Sequence, residues 1–480
     1  MRFVGLPTVT RHRGQDAAPT RPIILNGFSM NSVSHVNYGL WRHPRDQTHR
    51  YTTIDYWVEL AQILDRGRFD TFFLADALGL LDTHGGSAAA SLRTGTQSPV
   101  DDPLLLVSAL AAATKDLGFG VTVSTTYEHP YLLARKFTTL DHLTGGRVAW
   151  NVVTSQLDSA ARNLGLSRQI PHDERYERAE EFLDVVFKLW EGSWEDDAVV
   201  RDRANGLYTD PDKVHAIGHE GRYFSVPDAH LSEPSRQRTP LLLQAGGSPR
   251  GQRFAGRHAE IVFVAGADAE GIRRSVDAIR ASAAEQGRDP DSLEFVSAVS
   301  VVVDDTEGGA RAKLADYQSY FSVEGALAHY SASTGIDFSA EDLDAVIGHH
   351  DTDSNRSLLS MFAAADRAWT LREALAPKTG LGRSRTFVGT PTAVADDLED
   401  WLAASNTQGI NLIQVVNPDS FTDFADLVVP ELDRRGRLRP RPTEPTTLRR
   451  RLHGSDHVRD DHPAARYRRT PRRSDKGAVR

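Results

Sequence analysis

Apolar positions in this chain form short, nearly continuous runs that alternate with longer segments of helical periodicity. Runs of this kind, rich in Val, Ile, Leu and Phe, are typical of strands that are buried on both faces. We predict about eight such strands: Pro22–Phe28, 69–76, Gly118–Thr126, Val148–Ser155, Pro240–Ala245, Glu260–Ala265, Leu293–Val303 and Gly409–Val416. Apolar residues spaced three and four apart predict the helices Ile54–Arg66, Pro103–Lys115, Tyr131–Leu143, His172–Trp190, Gly251–Ala259, Ala269–Gln286 and Asp423–Arg435.

This alternation of strands and helices predicts a parallel sheet covered by helices, an α/β fold. A doubly wound sheet and a closed (β/α)8 barrel give the same local pattern. The number of strands favours the TIM barrel, which places an active site at the carboxyl ends of its strands. Two stretches interrupt the alternation: 192–239, which is typical of an insertion, and 306–385, which is mostly helical and irregular.

Composition supports one large globular domain with a different segment at its end. The chain has 480 residues, of which 40% are hydrophobic, and a net charge of -9, so it lacks the basic footprint of a nucleic-acid-binding protein. We therefore divide it into an N-terminal extension (1–21), a barrel domain (22–435) and an Arg/Pro-rich tail (436–480). The tail is poor in aliphatic residues and is expected to be mostly disordered. It is either a solubilising segment or a tether for an anionic partner.

The absence of cysteine narrows the chemistry and the expected compartment. With no cysteine in the sequence, disulfides and cysteine-ligated zinc or iron–sulfur centres are excluded. The N-terminus lacks the apolar core of a secretory signal, and no apolar run reaches membrane-spanning length. We expect a cytoplasmic protein without a membrane contact.

Polar residues lie at the carboxyl ends of several predicted strands, where a barrel carries its active site. Asp76 ends one strand, Thr122 and Ser124 share one face of the next, and Asn151 and Ser155 lie in the strand after that. Such residues are either internal hydrogen-bond partners or ligand contacts, and their position alone leaves both interpretations open.

Two further features indicate a binding site. His172 and Tyr176 stand four apart at the start of a helix and share one face, either to hold a ligand or as ordinary helix residues. In LLLQAGGSPRG (241–251), a strand runs into Gly246-Gly247, and Ser248 then precedes Pro249 at the start of a helix. Free amide N–H groups, the serine hydroxyl and the positive helix end predict a phosphate site; the alternative is a capped helix without a ligand.

The sequence lacks the common motifs of protein-based catalysis. There is no GxxxxGK[ST] loop, no HExxH motif and no GxSxG nucleophile elbow. The stretch His349-His350-Asp351 has no spaced partners, so we expect no metal site there. A phosphate-bearing ligand in a barrel mouth, without a protein nucleophile, indicates a cofactor that carries out the chemistry itself.

The chain resembles the luciferase-like flavin monooxygenases over residues 22–435. Within them it is similar to the group of nitrilotriacetate monooxygenase component A, EDTA monooxygenase, dibenzothiophene-sulfone monooxygenase and the large subunit of pristinamycin IIA synthase. The stretches that carry the resemblance are WRHP (41–44), DRGRFDTFFLAD (65–76), STTYEHPYLLARKFTTLDHLTGGRVAWNVVTS (124–155), AARNLG (160–165), HDERYERAEEF (172–182), LWEGSWEDDA (189–198), LQAGGSPRGQRFAGRHAE (243–260) and FVGTP (387–391).

The resemblance implies a barrel with insertions at its carboxyl-terminal face, usually a homodimer. It implies reduced FMN supplied by a separate NAD(P)H:flavin reductase, reaction with O2 and a C4a-hydroperoxyflavin that transfers one oxygen atom to a small substrate. The family's FMN contacts fall on Asp76, Thr122, His172, Tyr176 and Ser248, and Asn151 is a further contact. His172 is the first candidate for a catalytic acid or base, since imidazole titrates near neutral pH.

Two other activities fit the same barrel: F420-dependent hydride transfer, and flavin binding without catalysis. For an oxygenase, the resemblance leaves aminopolycarboxylates, organosulfur compounds and cyclic imines open as substrates. Three long inserts, Met30–Arg50, Leu80–Val100 and 306–385, are expected to wall the substrate pocket. Candidate groups to receive a substrate carboxylate are His35, Arg42, His43 and His129.

Overall fold

A computed structural model describes residues 21–266, 268–344, 370–375, 381 and 384–469 of the protein. Its centre is a closed barrel of parallel strands, which confirms the predicted fold. The barrel strands are β1 (Ile24–Met30), β2 (Thr71–Ala75), β3 (Gly118–Ser124), β4 (Val148–Val153), β5 (Leu241–Gln244), β6 (Ile261–Val264), β7 (Glu294–Val303) and β8 (Gly409–Ile413). Each strand pairs with the next, and β8 closes the ring on β1 with Asn26 opposite Asn411.

Helices cover the outside of the barrel. The described helices are α1 (Ile54–Arg66), α2 (Ala89–Thr94), α3 (Val107–Ala113), α4 (Pro130–Thr144), α5 (Asp158–Asn163), α6 (His172–Phe187), α7 (Pro249–His258), α8 (Ala269–Glu285), α9 (Glu307–Ser319), α10 (Val323–Thr334), α11 (Leu371–Leu375), α12 (Pro391–Ser405), α13 (Asp419–Asp423), α14 (Val429–Arg434) and α15 (Leu448–His453). In α1 the periodic residues Trp57, Leu60 and Leu64 are buried against the sheet, as the sequence pattern predicts.

The structure contains several elements that were not predicted, among them the helices α2, α5 and α12. A strand that was not predicted, Arg385–Gly389, pairs with the second half of β7 outside the barrel ring and leads into α12. It has five residues, RTFVG, with only two large apolar side chains in a row, so it forms no continuous apolar run in the sequence. Within the insertion 192–239, short antiparallel pairs form between Val199–Asp202 and Leu207–Thr209 and between His219–Glu220 and Ser225–Val226.

The Arg/Pro-rich tail corrects our expectation of disorder, because residues 436–469 are ordered against the barrel. α15 inserts Leu448 and Leu452 among the first interior residues of the strands, including Ile24, Leu241 and Ile261. We call this amino-terminal end, formed by the strand starts and residues 436–469, the floor. A Cβ at Gly118 would lie 2.8 Å from a Leu448 methyl carbon, so the start of β3 has no space for a side chain.

The tail folds because its arginines meet acceptors at the strand starts. Arg449 is only 1% exposed and forms a bidentate pair with Glu260, at 2.7 and 2.9 Å. Arg439 contacts the Asp70 carboxylate at 3.0 Å, and Arg451 donates to the Asp70 carbonyl. These partners lie far away in sequence, so the composition of the tail did not reveal them. Residues 470–480 lie outside the described part of the chain. That the tail tethers an anionic partner therefore stays a prediction.

No helix in the described residues has the length and apolar character needed to cross a membrane.

Candidate functional site

A cavity of about 580 Å3 opens at the carboxyl ends of the barrel strands, within the size range of cofactor pockets. Strand ends and the inserts above them together form its wall. The first insert contributes His35 and Val36, the second contributes Leu81 and Gln97, and α10 contributes His329. All three long inserts therefore contribute to the cavity wall; that this part of the wall surrounds the substrate stays a prediction.

The turn between β5 and α7 forms one side of this cavity. Ser248 is the N-cap of α7, with its hydroxyl accepting from the Gly251 N–H at 3.1 Å, and Pro249 follows as the first helical residue. A Cβ at Gly246 would lie 2.3 Å from Gln244 Nε2 and 3.1 Å from the Gly251 Cα. Because glycine has no Cβ, this turn can pack closely against its neighbours and still leave its backbone N–H groups open to a ligand.

The start of α6 packs its polar face against this turn. His172 Nε2 lies 3.2 Å from the Ser248 hydroxyl, and its Nδ1 lies 2.7 Å from the Asp173 carboxylate. The Tyr176 ring centroid is 5.2 Å from that of His172. Burial raises the pKa of the Tyr176 phenol, so it stays protonated. The structure thus brings together the predicted site residues His172, Tyr176 and Ser248.

Thr122 and Asn151 are neighbours on β3 and β4. They are register partners, and the Asn151 amide donates to the Thr122 hydroxyl at 2.9 Å. Both are buried, and neither is among the residues that line the cavity. Within the described part of the chain, the buried Asn151 Oδ1 and Gln244 Oε1 have no hydrogen-bond partner. Orphaned acceptors of this kind are costly unless a ligand or water satisfies them.

Asp76 lines the cavity directly after β2, with its carboxylate accepting from the Ala77 N–H at 2.8 Å. Burial raises the pKa of Asp76 to about 6, and the nearby Asp102 adds to this effect. A carboxyl group that titrates near neutral pH in a cavity is a candidate for holding a proton.

The candidates for binding a substrate carboxylate do not come together. Only His35 lines the cavity, with its ring centroid 5.1 Å from that of Phe28. His43 pairs with Asp316 at 3.0 Å, Arg42 donates to the Tyr320 carbonyl and His129 is the N-cap of α4. Of the four candidates, Arg42, His43 and His129 are thus engaged in structural contacts, and His35 is the one that lines the cavity.

Sequence reasoning missed several cavity residues. His329 contacts the Tyr38 hydroxyl at 2.8 Å and Gln97 at 3.0 Å, and all come from different inserts. Arg175, on α6 between His172 and Tyr176, also lines the cavity. The spacing on α6 was the only signal for Arg175, and an arginine in a helix usually indicates a solvated side chain.

The donor set fits a phosphate-bearing flavin. The glycine turn and the N-cap at Ser248 suit a phosphate, and the orphaned amide oxygens of Asn151 and Gln244 suit the N–H groups of a polar ring. Among the described residues, no group of three or more His, Asp or Glu side chains is arranged to hold a metal. His349, His350 and Asp351 lie outside that part of the chain, so our expectation for them stays a prediction.

Comparison with known proteins adds a family relationship to this geometry. Residues 37–408 match the family described as luciferase-like monooxygenase. Long-chain alkane monooxygenase from Geobacillus thermodenitrificans (strain NG80-2) is 48% identical, over 94% of this chain and 98% of that protein. Dimethyl-sulfide monooxygenase from Hyphomicrobium sulfonivorans is 47% identical, over 93% of this chain and 94% of that protein.

The group indicated by the sequence motifs is also represented. Dibenzothiophene-sulfone monooxygenase (Rhodococcus erythropolis), nitrilotriacetate monooxygenase component A (Aminobacter aminovorans) and a pristinamycin IIA synthase chain (Streptomyces pristinaespiralis) are 39%, 36% and 33% identical, which confirms the resemblance. The crystal structure of a riboflavin lyase with modified FMN and substrate riboflavin has a TM-score of 0.88 at 37% identity, covering 94% of this chain and 100% of that one.

Proposed function

The chain belongs to the luciferase-like monooxygenase family, and on that premise we propose that it is the oxygenase component of a two-component FMN-dependent monooxygenase. The observation that carries the proposal is the junction of α6 and α7, where Ser248, the glycine turn and His172 meet at the cavity wall. A phosphate at this junction would accept hydrogen bonds from amide N–H groups, the Ser248 hydroxyl and the His172 imidazole.

We assign the residues the following roles in binding. Ser248 and the amides around Gly246 hold the phosphate, and His172 and Tyr176 flank the phosphate and the chain that carries it. Asp76 and Gln244, which line the cavity, meet the polar edge of the ring system, and Asn151 and Thr122 stay predicted contacts behind them. Reduced FMN, when bound, supplies the two electrons and the activation of O2.

The protein's own task is then to keep water away from the reacting centre and to control one proton. Val36, Leu78, Leu81 and Leu157 form an apolar part of the wall above the strand ends. Asp76 lies at the cavity wall and can hold a proton near neutral pH, because burial raises its pKa to about 6. The catalytic role of His172 stays a prediction. The oxygen-transfer step that the resemblance implies stays a prediction.

For the substrate, we select organosulfur compounds from the predicted classes. The relatives named dimethyl-sulfide monooxygenase and long-chain alkane monooxygenase are the two most similar of those described above, at 47% and 48% identity. The cavity wall has a broad apolar part, which includes Val36, Leu78 and Leu81, beside the two arginines Arg175 and Arg385. A thioether matches this apolar part of the wall.

Two partners belong to this proposal: an NAD(P)H:flavin reductase that supplies reduced FMN, and a second copy of the chain in a homodimer. The relative named nitrilotriacetate monooxygenase component A supports the division into components.

A reductase-coupled assay tests the proposal. The protein, NADH, FMN and a general flavin reductase are incubated under 18O2 with dialkyl sulfides, alkanes, aminopolycarboxylates and cyclic imines, and products are analysed by mass spectrometry. We expect one 18O atom in a product from the sulfide or alkane group. Turnover only with F420, or FMN binding without any oxygenated product, would contradict the proposal and support one of the two alternatives.

A further inference from the structure

Ser155, the second residue after β4, has a φ of 53°. This value lies in the left-handed region, which glycine enters freely and most L-residues other than Asn and Asp avoid. A serine in this conformation costs free energy and persists only where its surroundings hold it. Ser155 lies at the cavity wall, so neighbouring groups must hold this part of the wall in a strained conformation.

Two contacts hold Ser155. Its hydroxyl donates to the Ser124 hydroxyl at 2.8 Å, and its carbonyl accepts from the guanidinium of Arg175. Arg175 is only 2% exposed and lies on α6 between His172 and Tyr176. The bond therefore ties the end of β4 to the helix that carries two of the proposed cofactor contacts.

The turn at Ser155 shapes the cavity. The next two residues, Gln156 and Leu157, both line it, and the Leu157 carbonyl accepts from Gln169 Nε2 at 3.4 Å. Arg175 and Gln169 thus hold the segment 155–157 at its two ends. If Ser155 relaxed to an extended conformation, the direction of the chain after β4 would change and the wall would move.

We propose that Arg175 is a positioning residue for the cofactor cavity: its guanidinium holds the Ser155 carbonyl in the left-handed turn that brings Gln156 and Leu157 to the wall. This proposal rests on the proposed function in one respect, because the ligand whose binding Arg175 affects is reduced FMN. Arg175 acts on this ligand through the backbone of Ser155.

Four variants test this mechanism: Arg175→Gln, Ser155→Gly, the double variant and Arg288→Gln. Glycine adopts a φ of 53° without strain, so Ser155→Gly removes the need for a clamp. Arg288 is the matched control, because it is a buried arginine that donates to the Gly256 and Ala259 carbonyls at 3.0 and 2.8 Å, and it does not line the cavity. The measurements are anaerobic titration with reduced FMN and the ratio of product to hydrogen peroxide.

We expect Arg175→Gln to weaken binding of reduced FMN roughly tenfold and to raise the share of hydrogen peroxide, since a bond from a charged donor is lost. Arg288→Gln should bind as the parent does, and Ser155→Gly is the reference with which the double variant is compared. The double variant should recover most of the lost affinity. Unchanged binding in Arg175→Gln would overturn the proposal. Equal loss in the single and double variants would also overturn it, because Arg175 would then act by its charge on the ligand.

Hydrogen exchange of the ligand-free protein provides a readout that does not depend on the cofactor. We expect faster exchange in peptides covering 154–158 for Arg175→Gln, and parent-like exchange there for Arg288→Gln. If the parent binds no reduced FMN but this difference appears, the proposed function fails and the positioning role stands. If exchange is the same in all variants, the positioning role fails whatever the protein binds.

Discussion

The floor and the mouth of this barrel differ in how their buried carboxylates and amides are paired. At the floor, Arg449 and Glu260 lie almost fully buried and form a bidentate pair, and Asp70 is shared by Arg439 and the Leu25 amide. At the mouth, the buried Asn151 and Gln244 have acceptors to which no described residue donates. Both ends are polar, but at the mouth these two amide oxygens are open to a donor from outside the chain.

This difference agrees with a division of labour between the two ends of a TIM barrel, in which the floor stabilises and the mouth binds. Burial alone would raise the pKa of Glu260, but the Arg449 guanidinium lowers it to about 2. At Asp76 burial raises the pKa to about 6. Variants at the floor should therefore change the free energy of unfolding, and variants at the mouth should change ligand binding.

The largest expected effect is at the floor. Arg449→Met leaves the Glu260 carboxylate buried without its cation, and removing one partner of such a pair costs about 3–5 kcal/mol. Urea denaturation followed by circular dichroism measures it. Arg450→Met is the matched control, because the neighbouring Arg450 pairs with Asp456 at the surface, and it should change stability little. Equal losses in both variants would contradict the account of the floor.

The next effect is at the mouth. Gly246→Val places a side chain where a Cβ already meets Gln244 and Gly251, so FMN affinity should fall roughly tenfold or more. Gly308→Val is the control, because no described atom lies within 4 Å of a Cβ at Gly308, in α9. Fluorescence quenching of FMN measures both. FMN binding by Gly246→Val at the parent's affinity would remove the glycine turn from the site.

At the floor, we expect the free energy of unfolding to depend on pH through His453. Burial lowers the pKa of His453 from 6.5 to about 4. As pH falls below 6.5, the unfolded chain takes up a proton that the folded protein refuses, so the free energy of unfolding decreases between these two values. His453→Leu should make this decrease shallower by about 1.4 kcal/mol per pH unit. Urea titrations between pH 8 and 5 check it; identical slopes would contradict the burial of a neutral His453.

The smallest effect is at Asp76. Above pH 6 its carboxyl is ionised and places a negative charge in the cavity, so FMN affinity should fall from pH 5 to pH 7 more steeply in the parent than in Asp76→Asn. The difference should stay below roughly tenfold, because one partly exposed charge is involved. Comparing the two proteins at each pH cancels the titration of the FMN phosphate, and parallel curves would show that Asp76 does not titrate here.

The sequence predicted the residues at the mouth better than those at the floor. The barrel strands were recognisable because strands buried on both faces are nearly continuous apolar runs. Ser248, His172 and Tyr176 were found from a cap motif and a helical spacing, which are local signals. The floor was missed because the partners of Arg449 and Arg451 are distant in sequence, so their segment has the composition of a solvated tail. Arg175 was missed because an arginine in a helix usually indicates a solvated side chain, and its acceptor is a main-chain carbonyl that gives no sequence signal.

In the proposed function, the N-terminus of α7, capped by Ser248, holds the phosphate of FMN. The most direct test compares the dissociation constant for reduced FMN in Ser248→Ala and Ser322→Ala, measured anaerobically. Both serines are N-caps that accept from a glycine N–H at 3.1 Å, so both changes cost similar helix stability. We predict that only Ser248→Ala weakens binding, by roughly tenfold. Equal affinity in the two variants would contradict the account.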